Sequence, residues 1–280
     1  MALTLPALCL FVLFIFYPFL RSFGLAFFES TLFNPDPVWV GLQNIHDLIQ
    51  DPTFHRTWTT TLIYVLVTTL LTVMLGFFWA LILNQAFTGR TIVRTVTILP
   101  WILPSTVTAF LWAWIFNGQF GLLNAVLKGA GVIDQAIIWL ATPSGAFVAV
   151  VIAKVWLSTP VAMSFILAGL QSVSSEEVDA AMMDGCGAGS IIRHVIVPHI
   201  FPTLVIVFVL QAMANLQQID TILAMTRGGP ARATTVLSIE VYQKAFQEWN
   251  MGLASAIGVA WFFTIAIPAA VYLHSVFKRV

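Results

Sequence analysis

Apolar residues gather into six long runs along the chain: Leu3–Phe28, Trp58–Leu83, Val93–Phe116, Ala146–Leu170, Pro202–Met225 and Ala254–Phe277. Each reaches the roughly 20 mostly apolar residues that a helix needs to cross the hydrocarbon of a bilayer. The pattern predicts an all-α membrane protein of six transmembrane helices, a single transmembrane domain over residues 1–280, with both termini on one side. The first run lacks a charged leader and carries Tyr17-Pro18 where a cleavage site would want small residues. It therefore reads as a permanent helix rather than a signal peptide, and any cytoplasmic lead before it is short or missing from this sequence. Pro100 and Pro104 interrupt the third run, Pro160 the fourth and Pro268 the sixth. Each removes a backbone donor, which fits an ordinary kink and fits equally the broken helices of moving gates and midplane binding sites.

Composition sharpens this picture. Of 280 residues, 59% are hydrophobic and 9% charged, where a soluble domain carries about 25% charge. A surface so poor in ionisable groups is not kept hydrated by water, so membrane lipid is the solvent for most of it. Twelve Lys+Arg balance twelve Asp+Glu, which leaves no basic surplus for a phosphate backbone and argues against a nucleic-acid partner. Cys9 and Cys186 sit in unlike surroundings without C-x-x-C spacing, so neither a disulfide framework nor a metal site is expected.

Orientation rests on short loops. Arg90, Arg94, Arg193, Lys278 and Arg279 fall on one side and Arg56, Lys128, Arg227, Arg232 and Lys244 on the other, a tie. The acid-free turn Asn84–Arg94 and the Phe277-Lys278-Arg279 end lie tight against spans, where positive charge counts most, and place that side in the cytoplasm. Glu29–Thr57, Asn117–Gly145 and Arg227–Leu253 then face outward, and Gln171–Phe201 is the long cytoplasmic loop. Tryptophans near the run ends, such as Trp101 and Trp249, read as interfacial belts.

Within the cytoplasmic loop, Ser174 or Ser175 is placed to cap a short helix whose first turn holds Glu176 and Glu177. Gly185, Gly187 and Gly189 end that helix and permit a sharp turn. Ile191, Ile192, Val195 and Ile196 then recur at helical spacing until Pro198 and Pro202 direct the chain back into the membrane. Spacing alone leaves two readings open, an amphipathic connector on the membrane surface and a docking site for a partner.

Asp179-Ala180-Ala181-x-x-Asp184-Gly185, followed by Val195-x-Val197-Pro198 and Pro202, resembles the EAA loop of binding-protein-dependent ABC importer permeases. Asp179 stands where that family usually has Glu, one methylene shorter. The resemblance covers nearly the whole chain and narrows to carbohydrate-uptake permeases of the maltose and glycerol-phosphate type. It rests also on Val40-Gly41-Leu42-Gln43-Asn44 with Asp51-Pro52-x-Phe54, on Leu99-Pro100-Trp101-x-x-Pro104, and on Gly121-Leu122-Leu123-Asn124. The stretch Asp220-x-Ile222-x-x-x-Thr226-x-Gly228-Gly229-Pro230, with Thr234-Thr235-Val236-Leu237 and Tyr242-x-x-Ala245-Phe246, is similar to the signature of the first permease of a heterodimeric pair. The resemblance implies a type I ABC importer permease fold, with Asp179, Ala180, Ala181, Asp184 and Gly185 coupling to a cytoplasmic ATPase. It implies further a second permease subunit, two ATPase copies that carry ATP and Mg, a periplasmic sugar-binding protein meeting the outer segment near Gly228-Gly229-Pro230, and a bacterial inner membrane. No cofactor is expected on this chain itself.

Gln211, Asn215 and Gln218 are spaced to lie on one face of the fifth span, where amides suit either sugar hydroxyls in a wet cavity or hydrogen bonds at a subunit seam. Counting from the family motifs, Gln211, Ala214, Asn215 and Gln218 fall on the positions that form the sugar site in the maltose permease. Lys154, Leu157, Ser158 and Val161 fall on its fourth-span half. Lys154 replaces an amide of that permease. Deep in a span a lysine costs roughly 2.5–3.5 kcal/mol unless an anion or water receives it, so it either meets an anionic sugar derivative, pairs with Asp220 or snorkels. Trp156 is left out of the site.

Three functions compete. An ATP-driven sugar permease comes first; the chain has no Gly-x-x-x-x-Gly-Lys loop, so hydrolysis belongs to another subunit. An ion-coupled secondary sugar carrier would want titratable acids at the midplane, and Asp220 is its candidate. A membrane enzyme would have to use His194 and His199, which no nucleophile or carboxylate constellation surrounds in sequence.

Overall fold

The computed structural model describes residues 4–31 and 33–277, with the backbone alone of Asn34, Pro35 and residues 267–277. Leu3, Lys278 and Arg279, which enter the reading of the first span and of the orientation, lie outside the described residues. The chain divides into two compact units, Met1–Thr61 with Thr235–Val280 and Leu62–Thr234.

In the first unit, α1 (Leu5–Leu25) contains a π-helical turn over Val12–Phe16 and buries none of its apolar window, as a helix facing lipid or another subunit would. Strands β1 (Phe28–Thr31) and β2 (Asn34–Trp39) pair antiparallel with a register shift between Glu29 and Thr31, a small hairpin not foreseen in an all-α chain. Then come α2 (Gln43–Gln50) and the first ten residues of α3 (Pro52–Asn84). Near the other end of the chain this unit adds α11 (Leu237–Phe246) and α12 (Met251–Phe277). Ala26, Leu48, Phe54, Leu237, Ala256 and Ile257 form its core. Asn44 donates from Nδ2 to the carbonyls of Ala26 and Phe28, both at 2.9 Å, and satisfies backbone that the hairpin leaves open. A Cβ on Gly252 would come to 2.2 Å from the Phe28 carbonyl, so α12 meets β1 only through glycine.

The second unit comprises the rest of α3, then α4 (Arg90–Ile102), α5 (Ser105–Ile115), α6 (Leu122–Gly129), α7 (Pro143–Leu170), α8 (Ser175–Met183), α9 (Ala188–Leu216) and α10 (Asp220–Met225). Helix α7 is its axis, with 72% of its apolar window buried. Ala80 and Leu83 of α3, Ala162, Met163 and Ile166 of α7, and Ile200 and Val207 of α9 share one core. The crossings are close because small residues sit there. A Cβ on Gly76 would lie 2.9 Å from both Ala162 Cβ and the Met163 nitrogen, and one on Gly169 would lie 2.9 Å from Thr203 Cγ2.

Among the described residues all six apolar runs are largely helical, and four helices are unbroken, long and apolar enough to cross a bilayer: Leu5–Leu25, Pro52–Asn84, Pro143–Leu170 and Ala188–Leu216. Three expectations need correction. The third run is not one continuous helix, because α4 and α5 meet at a 100° bend. Leu103 is extended there, as a residue before proline prefers, and Pro104 starts the new helix. The fifth run, expected as Pro202–Met225, breaks between Leu216 and Asp220, and its helix begins earlier, at Ala188. Pro198 and Pro202 accordingly do not turn the chain: both lie inside α9, downstream of a π-helical turn over Ile192–Ile196. Pro160 likewise sits within a continuous α7, buried.

Candidate functional site

The break at the end of α9 builds the centre of the polar cluster. Helix α9 carries Gln211 and Asn215 one turn apart, both buried, while Gln218 lies beyond its end in the linker to α10. The three amides therefore do not share one helical face, a correction to the spacing argument. The fold nevertheless brings Gln218 into the cluster, because Lys154 of α7 donates from Nζ to Gln218 Oε1 at 2.7 Å. Gln218 Nε2 in turn donates to Thr221 Oγ1 at 2.9 Å. Lys154 is only 7% exposed, and among the described residues Gln218 is its hydrogen-bond partner. Two of its three N–H donors are then left for a ligand. Asp220 follows two residues after Gln218, but its hydrogen bond is to Ser105, and it forms no ion pair with Lys154. The pairing of Lys154 with Asp220 that the sequence left open is thus not the contact the structure makes.

Asn215 donates from Nδ2 to Thr69 Oγ1 of α3 at 2.9 Å, while its Oδ1 is buried without a partner. A buried acceptor left unpaired costs about 1–3 kcal/mol, which a donor arriving with a ligand would recover. Leu157 and Ser158 are buried on the Lys154 side of α7, Val161 is half-buried, and Ala214 is exposed on α9. The opposite side of α7 faces an apolar cavity of about 690 Å³ whose walls include Leu71, Trp79, Pro100, Trp112, Trp156 and Pro160. None of the eight candidate residues lines that cavity. Trp156 lines that apolar cavity and packs edge-on against Trp112 with ring centroids 5.8 Å apart.

The cytoplasmic-loop residues also take definite places. Ser174 caps α8, its Oγ accepting from the Glu176 nitrogen at 3.2 Å, with Glu176 and Glu177 in the first turn where acids complement the helix dipole. Gly185 ends the helix at φ +80°, a left-handed backbone that other residues adopt at a cost, whereas Gly187 and Gly189 have no such need. Ala180, Ala181 and Asp184 line one open cleft together with Glu177, His194, Val195 and His199. Asp179 instead lines a separate pocket with Asn84, Leu170 and Ile196, so the structure does not bring it to the same surface. Met182 and Met183 are exposed, Met183 at 88%. His199 links α9 back to the loop, with Nε2 3.3 Å from Ser172 Oγ and Nδ1 3.8 Å from Glu177 Oε2. Sequence reasoning set both histidines aside and missed Thr69, Ser105 and Thr221. Only their positions in space mark these, since threonine and serine in an apolar run are unremarkable by pattern.

Long apolar helices, one of them ending beside a buried ammonium, with a short exposed helix presented outside them, fit the construction of a membrane transport permease. The chain belongs to the family described as binding-protein-dependent transport system inner membrane component, whose model matches residues 72–279. It is 32% identical over 274 residues to the trehalose/maltose transport system permease protein MalF of Thermococcus litoralis, covering 97% of this chain and 91% of that protein. It is 30% identical over 273 residues to the sulfoquinovosyl glycerol transport system permease protein SmoG of Agrobacterium fabrum, covering 97% and 88%. Its fold matches a chain in the crystal structure of a bacterial ABC transporter involved in the import of the acidic polysaccharide alginate. That match has a TM-score of 0.84 at 21% identity and covers 100% of this chain and 94% of the other. The fold is that of a type I ABC importer permease, and the chain is an inner-membrane transport component.

Proposed function

We propose that this chain is the first permease of a heterodimeric ABC importer that carries a sugar derivative bearing a negative charge into the cytoplasm. The observation that carries the reading is the Lys154 ammonium, held by one amide with two donors to spare, among amides suited to hydroxyls. A neutral sugar offers a buried ammonium no charge in return, whereas a carboxylate, sulfonate or phosphate offsets its desolvation by a charge-assisted hydrogen bond. Relatives named for trehalose/maltose and for sulfoquinovosyl glycerol support sugar as the cargo class. In this reading Lys154, Leu157, Ser158, Val161, Gln211, Ala214, Asn215 and Gln218 line the sugar path.

A second permease closes that path, two ATPase subunits bind ATP and Mg, and a periplasmic sugar-binding protein delivers the cargo. This chain holds no cofactor of its own. Exposed Met182 and Met183 beside the Ala180–Asp184 cleft support α8 as the element that enters the ATPase, with Gly185 setting its exit turn and Asp179 bracing it from its separate pocket. Both termini and α8 then face the cytoplasm. Reconstitution of the assembled transporter with its binding protein tests the reading. Uptake should require internal ATP, stop with vanadate and survive a proton uncoupler. Uptake that collapses with the uncoupler and ignores vanadate would establish the ion-coupled carrier instead.

A further inference from the structure

One carboxylate in the polar cluster has no task in the reading above. Asp220 opens α10 directly after the break that ends α9, and its side chain is exposed. Its Oδ2 accepts the hydroxyl of Ser105 at 2.5 Å, and Ser105 opens α5 directly after the 100° bend that ends α4. The two interruptions of apolar helix therefore meet at one hydroxyl–carboxylate hydrogen bond. Asp220 immediately precedes Thr221, whose hydroxyl accepts from the same Gln218 that holds Lys154. Lys154 nevertheless binds the neutral Gln218, and the short contact of Asp220 is to a hydroxyl.

An ionised carboxylate is purely an acceptor, with about four lone-pair sites on its two oxygens, and Ser105 occupies one. Hydroxyls bound to a carboxylate make shorter and stronger hydrogen bonds than neutral pairs do, and a sugar presents adjacent hydroxyls that fit two carboxylate oxygens. Lys154 and Gln218 supply donors on the same cluster, but none of the eight candidate residues is a charged acceptor. We propose that Asp220 is a substrate-binding residue that accepts sugar hydroxyls, and that Ser105 is its resident partner in the unloaded protein, holding the place a sugar hydroxyl takes on loading. The proposal rests on the reading of this cluster as the sugar path and adds its acceptor side. It makes the site bipolar, with Lys154 selecting the charged substituent and Asp220 holding the ring hydroxyls.

The sign of one substitution separates this from a structural tie between α5 and α10. The nucleotide-free assembled transporter in lipid nanodiscs is titrated with glucosyl glycerol and with sulfoquinovosyl glycerol, and binding is followed by saturation-transfer NMR. Asp220→Asn keeps the shape and an accepting oxygen but removes the charge, and should weaken both sugars by about tenfold, the difference between a charge-assisted and a neutral hydrogen bond. Ser105→Ala frees the carboxylate from its competitor and should tighten both sugars several-fold. A structural tie predicts the reverse for Ser105→Ala, weaker binding together with a lower melting temperature. Unchanged affinity in Asp220→Asn, or weakened binding in Ser105→Ala, overturns the proposal and leaves the sugar-path reading standing. A wild-type transporter that binds neither sugar overturns that reading, and the proposal with it.

Discussion

Replacing Lys154 by glutamine tests the charge preference most directly, because the structure limits what else the change disturbs. Lys154 makes one hydrogen bond, to Gln218 Oε1 at 2.7 Å, and is 7% exposed. A glutamine amide occupies most of the same space and keeps a donor, one covalent bond short of the ammonium, so the folded state loses at most that one hydrogen bond. Removing a cation from a span also lifts an insertion cost of roughly 2.5–3.5 kcal/mol. What disappears is the charge-assisted bond to the substrate anion, worth about 1.5–3 kcal/mol. At about 1.4 kcal/mol per factor of ten, Lys154→Gln should weaken an acidic sugar by about 10- to 150-fold and leave its neutral analogue nearly unchanged. Binding of sulfoquinovosyl glycerol and glucosyl glycerol to the nanodisc-embedded transporter, which differ in a sulfonate against a hydroxyl, measures this ratio. Basal ATPase activity reports whether assembly is intact. Equal losses for both sugars would assign Lys154 a structural role, and an unchanged ratio would refute the anionic preference.

Three further outcomes follow from the same geometry. Gly76→Leu forces a side chain into a space where even Cβ lies 2.9 Å from the Met163 nitrogen, and should lower the melting temperature in detergent by the equivalent of about 1–3 kcal/mol. Gly24→Leu, with nothing within 4 Å, should not, and equal melting of the two variants would contradict the close α3–α7 crossing. Gly185→Arg places a bulky cation at φ +80°, at about 1–2 kcal/mol of backbone strain, and should abolish ATPase stimulation by loaded binding protein while membrane insertion continues. Wild-type stimulation in that variant would sink the docking of α8. A cysteine at exposed Thr88, in a chain with Cys9 and Cys186 changed to serine, should resist an impermeant maleimide in intact cells and react once they are opened. Labelling of intact cells would invert the orientation.

What the sequence by itself determined is whatever depends on local composition and spacing. Six apolar runs had to become helices, because a backbone in hydrocarbon must satisfy its own hydrogen bonds. The capped helix at Ser174 and the left-handed turn at Gly185 follow from short-range chemistry, and both stand where the residues placed them. The tertiary structure alone decided where helices break and which polar groups then meet. Pro100, Pro160 and Pro202 sit inside continuous helices, while Pro104 marks a 100° bend, and no local signal separates these cases because neighbouring helices decide whether a freed carbonyl is tolerated. Helix α9 ends two residues before Gln218, the last amide its periodicity would include, which takes Gln218 off that face and hands it to Lys154, 64 residues away in the chain. Ser105 and Asp220 are 115 residues apart and become neighbours only because two breaks coincide in space. Long-range pairings of this kind carry no periodicity, so packing, not pattern, assembles the polar cluster.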